Sequence, residues 1–290
     1  MKRTFLFLAL VLLAASCAQG GKQPEAEQFA SLLTLPERYT VYRTADPIVI
    51  DGVLDERSWQ LADVTADFAD ISGEGFPAPL QRTYAQMVWD DDCLYVAGTL
   101  FETNVTARLT QRDTVIFYDN DFEVFIDPYD RGQGYFEFEV NARGVLFDLI
   151  MDKPYRDGGD FFVPWDCKDI RVAVHVDGTL NDPSDTDVKW TVEMAIPGES
   201  LRRGFRNPLG EGSYWRLGFS RVEWNTKPED NWVWSPTGRI DMHMPERWGY
   251  IFFDGKTVGE ASEVKDYPYD MDAYFAKWLT YYAQKYSKKK

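Results

Sequence analysis

The chain predicts an all-β domain, a two-sheet antiparallel β-sandwich of jelly-roll or immunoglobulin-like type, followed by a C-terminal helix. Three observations carry that expectation. Apolar and polar residues alternate with period two in many short runs between Ile48 and Phe253. Turn-forming stretches separate the runs, among them Asp51-Gly52, Gly75-Phe76-Pro77-Ala78-Pro79, Asn181 to Asp187 and Gly204 to Gly212. Helical spacing is confined to the end of the chain, where Met271, Tyr274, Phe275, Trp278, Leu279, Tyr282 and Tyr286 follow the capping candidates Asp270 and Asp272. A sheet with one apolar face has to bury it against a second layer, and 290 residues are enough to do so.

Residues 1–17 read as an export signal. Met1, Lys2 and Arg3 form a positive head, and Phe5 to Leu13 an apolar stretch too short to remain as a membrane span. Ala14-Ala15-Ser16-Cys17 resembles a bacterial lipoprotein signal, in which cleavage leaves Cys17 as the lipid-bearing N-terminus; an ordinary secretory peptide cut near Ser16 or Gln19 is the alternative. Either places the chain outside the cytoplasm, with a lipid anchor at the outer membrane, cell surface or periplasmic face under the first. Cleavage before Cys17 leaves 274 residues (290 minus 16) and removes Lys2 and Arg3, taking the formal charge from -16 to -18. Residues 18–40, rich at first in Gly, Gln, Glu and Ala, read as tether and lead-in, 41–255 as the sandwich, and 256–290 as the helical extension.

The strands follow in order. Leu94, Val96, Gly98 and Leu100 share one side of a run, and Phe122, Val124 and Ile126 alternate with Asp121, Glu123 and Phe125. Phe136, Phe138 and Val140 alternate with Glu137, Glu139 and Asn141, and Val145-Leu146-Phe147 follows a turn. Val172 to Val176, Trp190 to Met194, Trp215 to Phe219 and Trp248 to Phe252 repeat the pattern.

Composition narrows the function. A net charge of -16 repels phosphate backbones, so nucleic acid is a poor partner. Cys93 and Cys167 suffice for one disulfide or stand as buried thiols, and two histidines are too few for most transition-metal sites. The chain has no G-x-S-x-G elbow, H-E-x-x-H pair or glycine-rich phosphate loop.

Ordered phrases carry a family likeness. Ile50-Asp51-Gly52-Val53-Leu54-Asp55-Glu56 precedes Trp59, and Val88-Trp89-Asp90-Asp91-Asp92 precedes Leu94-Tyr95-Val96-Ala97. Asn120 to Pro128 leads into Tyr135 to Asn141; Trp190 to Pro197 and Trp232-Val233-Trp234-Ser235-Pro236 follow. Over residues 45–254 the chain resembles the family 9 carbohydrate-binding modules, in the exported single-domain version of Bacteroidetes. The resemblance implies a β-sandwich that binds oligo- or polysaccharide, often at chain ends, without cleaving it. It also implies one structural Ca2+ and a role beside envelope glycan-utilisation proteins.

Sugar recognition needs rings for the apolar pyranose face and fixed polar groups for its hydroxyls. Trp59, Trp89 and Trp190 lie in regular patterns and read as core. Trp165, Trp224, Trp232 and Trp234 lie near loops and are the candidate clamp. Asp121, Glu123, Glu137, Glu139 and Asn141 are the candidate polar band on adjoining strands, with Arg112, Arg143 and Arg221 as neutralisers. Tyr155 and Asp160 join them from the loop around Gly158-Gly159. Asp51, Asp55, Asp90 and Asp127 are the candidate calcium ligands, each equally explained as a solvated turn.

Three other functions remain. Paired carboxylates are the tool of glycoside hydrolases, but acids on an open sheet face lack the apolar enclosure that raises a general acid's pKa. A structural or assembly lipoprotein would use the sandwich and helix as docking surfaces. Haem at His243, flanked by Met242 and Met244, is the weakest alternative.

Overall fold

The computed structural model describes residues 35–202, 207–225 and 230–260, with Lys265, Tyr267, Pro268, Asp270 and Ala273. The signal, Cys17, the tether up to residue 34 and nearly all of the C-terminal helix expected from sequence lie outside the described residues. The chain divides into a unit of residues 36–262 and a second of 1–35 with 263–290. Among the described residues no helix is long and apolar enough to cross a membrane.

The first unit is nearly all β. Its strands are β1 (Arg38–Arg43), β2 (Ala69–Asp70), β3 (Thr83–Trp89), β4 (Cys93–Phe101), β5 (Asp121–Asp127), β6 (Tyr135–Asn141) and β7 (Leu146–Met151). They continue with β8 (Phe161–Phe162), β9 (Arg171–Asp177), β10 (Lys189–Pro197), β11 (Tyr214–Glu223), β12 (Asp230–Val233) and β13 (Gly249–Thr257). Among the described residues of this unit a single short helix, α1 (Arg57–Leu61), completes the regular elements apart from 3-10 turns.

Two separate antiparallel sheets are expected from sequence; the described strands instead form one continuous hydrogen-bonded path, β8-β7-β6-β5-β11-β13-β1-β3-β4-β10-β9, with β12 and β2 branching from β11. Most pairs are antiparallel, but β1 runs parallel to both its neighbours, β13 and β3. The path curls until its apolar faces meet. Gly98 of β4 marks the contact: a Cβ there would lie 3.0 Å from the Phe122 ring of β5 and 2.9 Å from Val192. A larger residue would force the layers apart, so glycine sits where they approach most closely.

Between the curled faces lies one large core. Phe122, Val124 and Ile126 meet Phe136, Phe138, Val140, Leu217, Phe219, Val96 and Val192 there, all without solvent exposure beyond a trace. Each fully buried side chain of this size contributes about 1.5–3 kcal/mol against exposure. Trp59, Trp89 and Trp190 are buried as the sequence suggests, and two of their indoles find partners. Trp59 Nε1 donates to Glu193 Oε1 (2.8 Å) and Trp89 Nε1 to the Asp254 carbonyl (2.9 Å). Glu193 Oε2 also accepts the Gly52 N–H at 2.7 Å, pinning the first turn to β10. Gly52 has φ +86 and packs on the Val174 backbone, so both its conformation and its surroundings exclude a side chain. Cys93 and Cys167 are buried free thiols, so no disulfide links them. Burial raises both, Cys167 to about 12.

A second, smaller cluster covers the other face of β5 to β7: Ile116, Phe125, Tyr135, Phe147, Leu149, Met151 and Trp248. That cover makes the outer face of these strands into a cavity rather than a solvated surface.

Candidate functional site

Strand parity places acids and rings on that covered face. Asp121, Glu123 and Phe125 point to it from β5, and Glu137 and Glu139 from β6. Register sets Glu123 directly opposite Glu139, and Phe125 opposite Glu137. On the next strand Phe147 faces Glu139 and Leu149 faces Glu137. The result is a cavity of about 330 Å³, within the range of ligand pockets. Glu123, Glu137 and Glu139 form its acidic lining, with Phe125, Phe147, Leu149, Val222, Asn231 and His243 around them.

Two turns bring further rings to its edge. The 3-10 turn Ile116–Tyr118 supplies Phe117 and Tyr118, whose ring centroids lie 4.2 Å apart. The turn Tyr155–Asp157 and β8 supply Tyr155 and Phe161. Tyr118 is 59% exposed and Tyr155 47%, so both rings have free area to offer. Tyr155 stands edge-on to His243, centroids 4.6 Å apart.

The acids are buried, which corrects the expectation of an open sheet face. Glu139 Oε2 accepts the N–H groups of Ile116 (2.7 Å) and Phe117 (2.8 Å), tying the aromatic turn to the cavity. Ser220 Oγ donates to Glu123 Oε2, and the Val222 N–H donates to Asp121 Oδ1 at 3.0 Å. Loss of water pushes Glu123 up to about 7. Desolvation, then the Glu123 charge, pushes Glu139 up to about 8. Burial, then their carboxylate neighbours, also raise Asp121 and Glu137 well above the usual carboxylate range. Asp121 Oδ2 and Glu137 Oε2 are buried without a hydrogen-bond partner. Burial holds His243 down at about 4, hence neutral near pH 7; its Nδ1 meets Tyr135 Oη at 2.8 Å.

Solved structures share this architecture. A Bacteroides uniformis protein provisionally described as carbohydrate-binding aligns over 76% of this chain and 100% of its own, at 16% identity and a TM-score of 0.56. A family 9 carbohydrate-binding module of Caldicellulosiruptor kristjanssonii, solved with cellotriose, aligns over 79% of this chain and 100% of its own, at 13% identity and a TM-score of 0.51.

The fold is that of the family 9 carbohydrate-binding modules.

A family 9 module of Caldicellulosiruptor kristjanssonii solved with glucose aligns over 78% of this chain and 100% of its own, at 13% identity and a TM-score of 0.50. No family model matches the chain, and no curated protein matches it.

Within this family 9 fold the residues singled out from sequence separate cleanly. Glu123, Glu137, Glu139 and Tyr155 come together at the cavity, with Asp121 beside Glu123 and Glu139. The tryptophan clamp is corrected. Trp232 pairs with Arg221, whose side chain points to the large core, and Trp234 packs on Phe219; they are 2% and 1% exposed. Trp165 packs on Phe136 and Phe138, the side of β6 opposite Glu137 and Glu139. Trp224 is partly buried and donates through Nε1 to the Phe117 carbonyl (2.6 Å), so it supports the aromatic turn from behind.

The expected neutralisers are also elsewhere. Arg112 binds Asp148 and Asp166, Arg143 donates to the Ala107 carbonyl, and Arg221 binds Glu102 and Glu223. Asn141 is spent on structure: its amide donates to Leu109 and Asp119, and its oxygen accepts from Arg143 and Val145. Asp160 is exposed, with Oδ1 accepting the Phe161 N–H.

The proposed calcium ligands do not fit a common ion. Asp127 spends both oxygens on the N–H groups of Tyr129, Arg131 and Gly132. Asp90 accepts from Asp92, Cys93 and Tyr95, and Asp51 accepts the Val53 N–H. Asp55 is exposed in the first turn, and none of the four joins a convergent acidic group among the described residues. They build turns.

Proposed function

We propose that the protein binds carbohydrate without cleaving it, at the cavity between β5, β6 and the two aromatic turns. The observation that carries this reading is one cavity in which acids able to hold protons near neutral pH lie beside exposed Tyr118 and Tyr155. Rings cover the apolar face of a pyranose, while a carboxyl that holds its proton donates to a sugar hydroxyl and an ionised one accepts from it. Recognition therefore shifts from the expected tryptophans to Tyr118, Phe117, Tyr155 and Phe161. The neighbours' names, a cellotriose complex and a glucose complex, support the ligand class.

Calorimetry of the full chain against an oligosaccharide panel that includes cellotriose tests this. Saturable binding with the sugar recovered intact is expected. Tyr118→Ala and Tyr155→Ala should each weaken it about tenfold, or about 1.4 kcal/mol, with little change in melting because both side chains are exposed. Heatless titrations across the panel, or two variants with unchanged affinity, would refute the site.

Hydrolysis gains one observation, the raised pKa of Glu139. Against it, Glu123 and Glu139 are cross-strand neighbours on a single lining. Glycosidase pairs instead flank the bond, about 5–9.5 Å apart. Release of shorter products during long incubation is the outcome that would favour it.

Envelope location is proposed from residues 1–17 alone, with lipid carried on Cys17. Labelling with a fatty-acid analogue in a bacterial host should be lost in Cys17→Ala.

A further inference from the structure

We propose that the base of the cavity is a divalent-cation site, with Ca2+ as the ion, held by Asp121, Glu123 and Glu139 and bordered by Glu137. Each of Asp121, Glu123 and Glu139 offers a carboxylate oxygen within 4.8 Å of the other two, and all three side chains are buried. Oxygens no more than 4.8 Å apart leave a point at most about 2.8 Å from each, near the roughly 2.3–2.6 Å of calcium–oxygen bonds.

A second observation points the same way. Asp121 is fully buried and Glu137 is 4% exposed, yet Asp121 Oδ2 and Glu137 Oε2 have no hydrogen-bond partner. Orphaned buried carboxylate oxygens are costly unless a proton or a cation meets them. No lysine or arginine lines the cavity among the described residues. The other convergent group, Asp113, Asp148 and Asp166, already receives the Arg112 guanidinium. The two acidic groups thus differ in the one respect that matters: only one of them has its countercharge built in. All-oxygen donors and the absence of histidine or cysteine from the cluster favour a hard cation. Calcium would displace the protons these acids otherwise hold, and it takes six to eight oxygens, so positions remain for water or for hydroxyls of a ligand entering the cavity.

The test uses the full chain stripped with chelator and titrated with Ca2+ alone, or with Tb3+ read by luminescence through the nearby tyrosines. One site, occupied at about 1 mM Ca2+ or below, is expected. Asp121→Asn and Glu139→Gln should each weaken it at least about tenfold. Both variants remove a buried like charge at nearly constant shape, and far-ultraviolet circular dichroism checks that they fold. Asp166→Asn, in the group already filled by Arg112, should bind as the unaltered chain does. Failure to bind either ion, or binding that survives in both Asp121→Asn and Glu139→Gln, overturns the proposal. Because no sugar is present, that result leaves the carbohydrate reading to its own titrations.

Discussion

Arg221→Ala should lower stability by about 3–5 kcal/mol and melting by roughly 6–20 °C, while leaving carbohydrate affinity unchanged in whatever fraction folds. The Arg221 side chain has no solvent exposure and holds two buried acids, Glu102 and Glu223, through contacts of 2.6 Å each. It also donates to Thr83 Oγ1 and the Phe101 carbonyl and lies 4.9 Å over the Trp232 ring. Burial pushes Glu102 up to about 8, and the hydrogen-bonded Glu223 beside it adds to the rise. Burial pushes Glu223 up too, but its hydrogen bond from Glu102 and the Arg221 charge leave it below its usual range. Deleting the guanidinium strands both acids without their cation. Trp232→Ala should cost a comparable amount, about 3–5 kcal/mol, because this ring, a candidate for the clamp by sequence, is buried in the large core. Chemical denaturation measures both. Unchanged melting with lost sugar binding would return these residues to the site.

Stability should also fall as pH rises from about 5 to 8 in chelating buffer. Glu123 titrates at about 7 and Glu139 at about 8 in the fold, against 4.5 in the unfolded chain. Over that window the folded state binds more protons than the unfolded one, so raising the pH favours unfolding. The contribution is complete below about pH 4.5 and is lost as pH passes through 7 and 8. Its size is on the order of a few kcal/mol. His243, held at about 4, acts in the opposite sense, penalising the fold as pH drops below 6.5. Two acids outweigh one imidazole, so the optimum lies at or below about pH 5. Melting curves across pH should show the slope, and Glu139→Gln should flatten it. A profile level from pH 5 to 8 would contradict the burial of these acids.

Local alternation made most strands legible. Phe122-Val124-Ile126, Phe136-Phe138-Val140 and Trp190-Val192-Met194 all lie in strands with that face in the large core. The polar band on β5 and β6 was legible for the same reason, and its cross-strand register follows from it. What local pattern could not convey was which side of the sheet each loop tryptophan joins. Trp232 and Trp234 do share a face, but it is the face of Phe219. The available signal was the wrong-parity apolar residues. Phe125 among acids on β5, and Phe147 and Leu149 on β7, mark an outer face that is covered rather than wet. Asn231, one residue before Trp232, is the β12 residue that lines the cavity. The parallel placement of β1 was equally hidden, since no short-range pattern encodes a partner so distant.

That placement bears on how the chain is made. Arg38 pairs with Tyr250, 212 positions later (250 minus 38), and β1 fills the gap between β13 and β3. On the ribosome β1 emerges early and must wait for almost the whole unit to be translated before its β13 edge is met. Contacts so remote in sequence close slowly. Until they do, an unpaired strand edge is a template for aggregation that a holdase chaperone would have to shield.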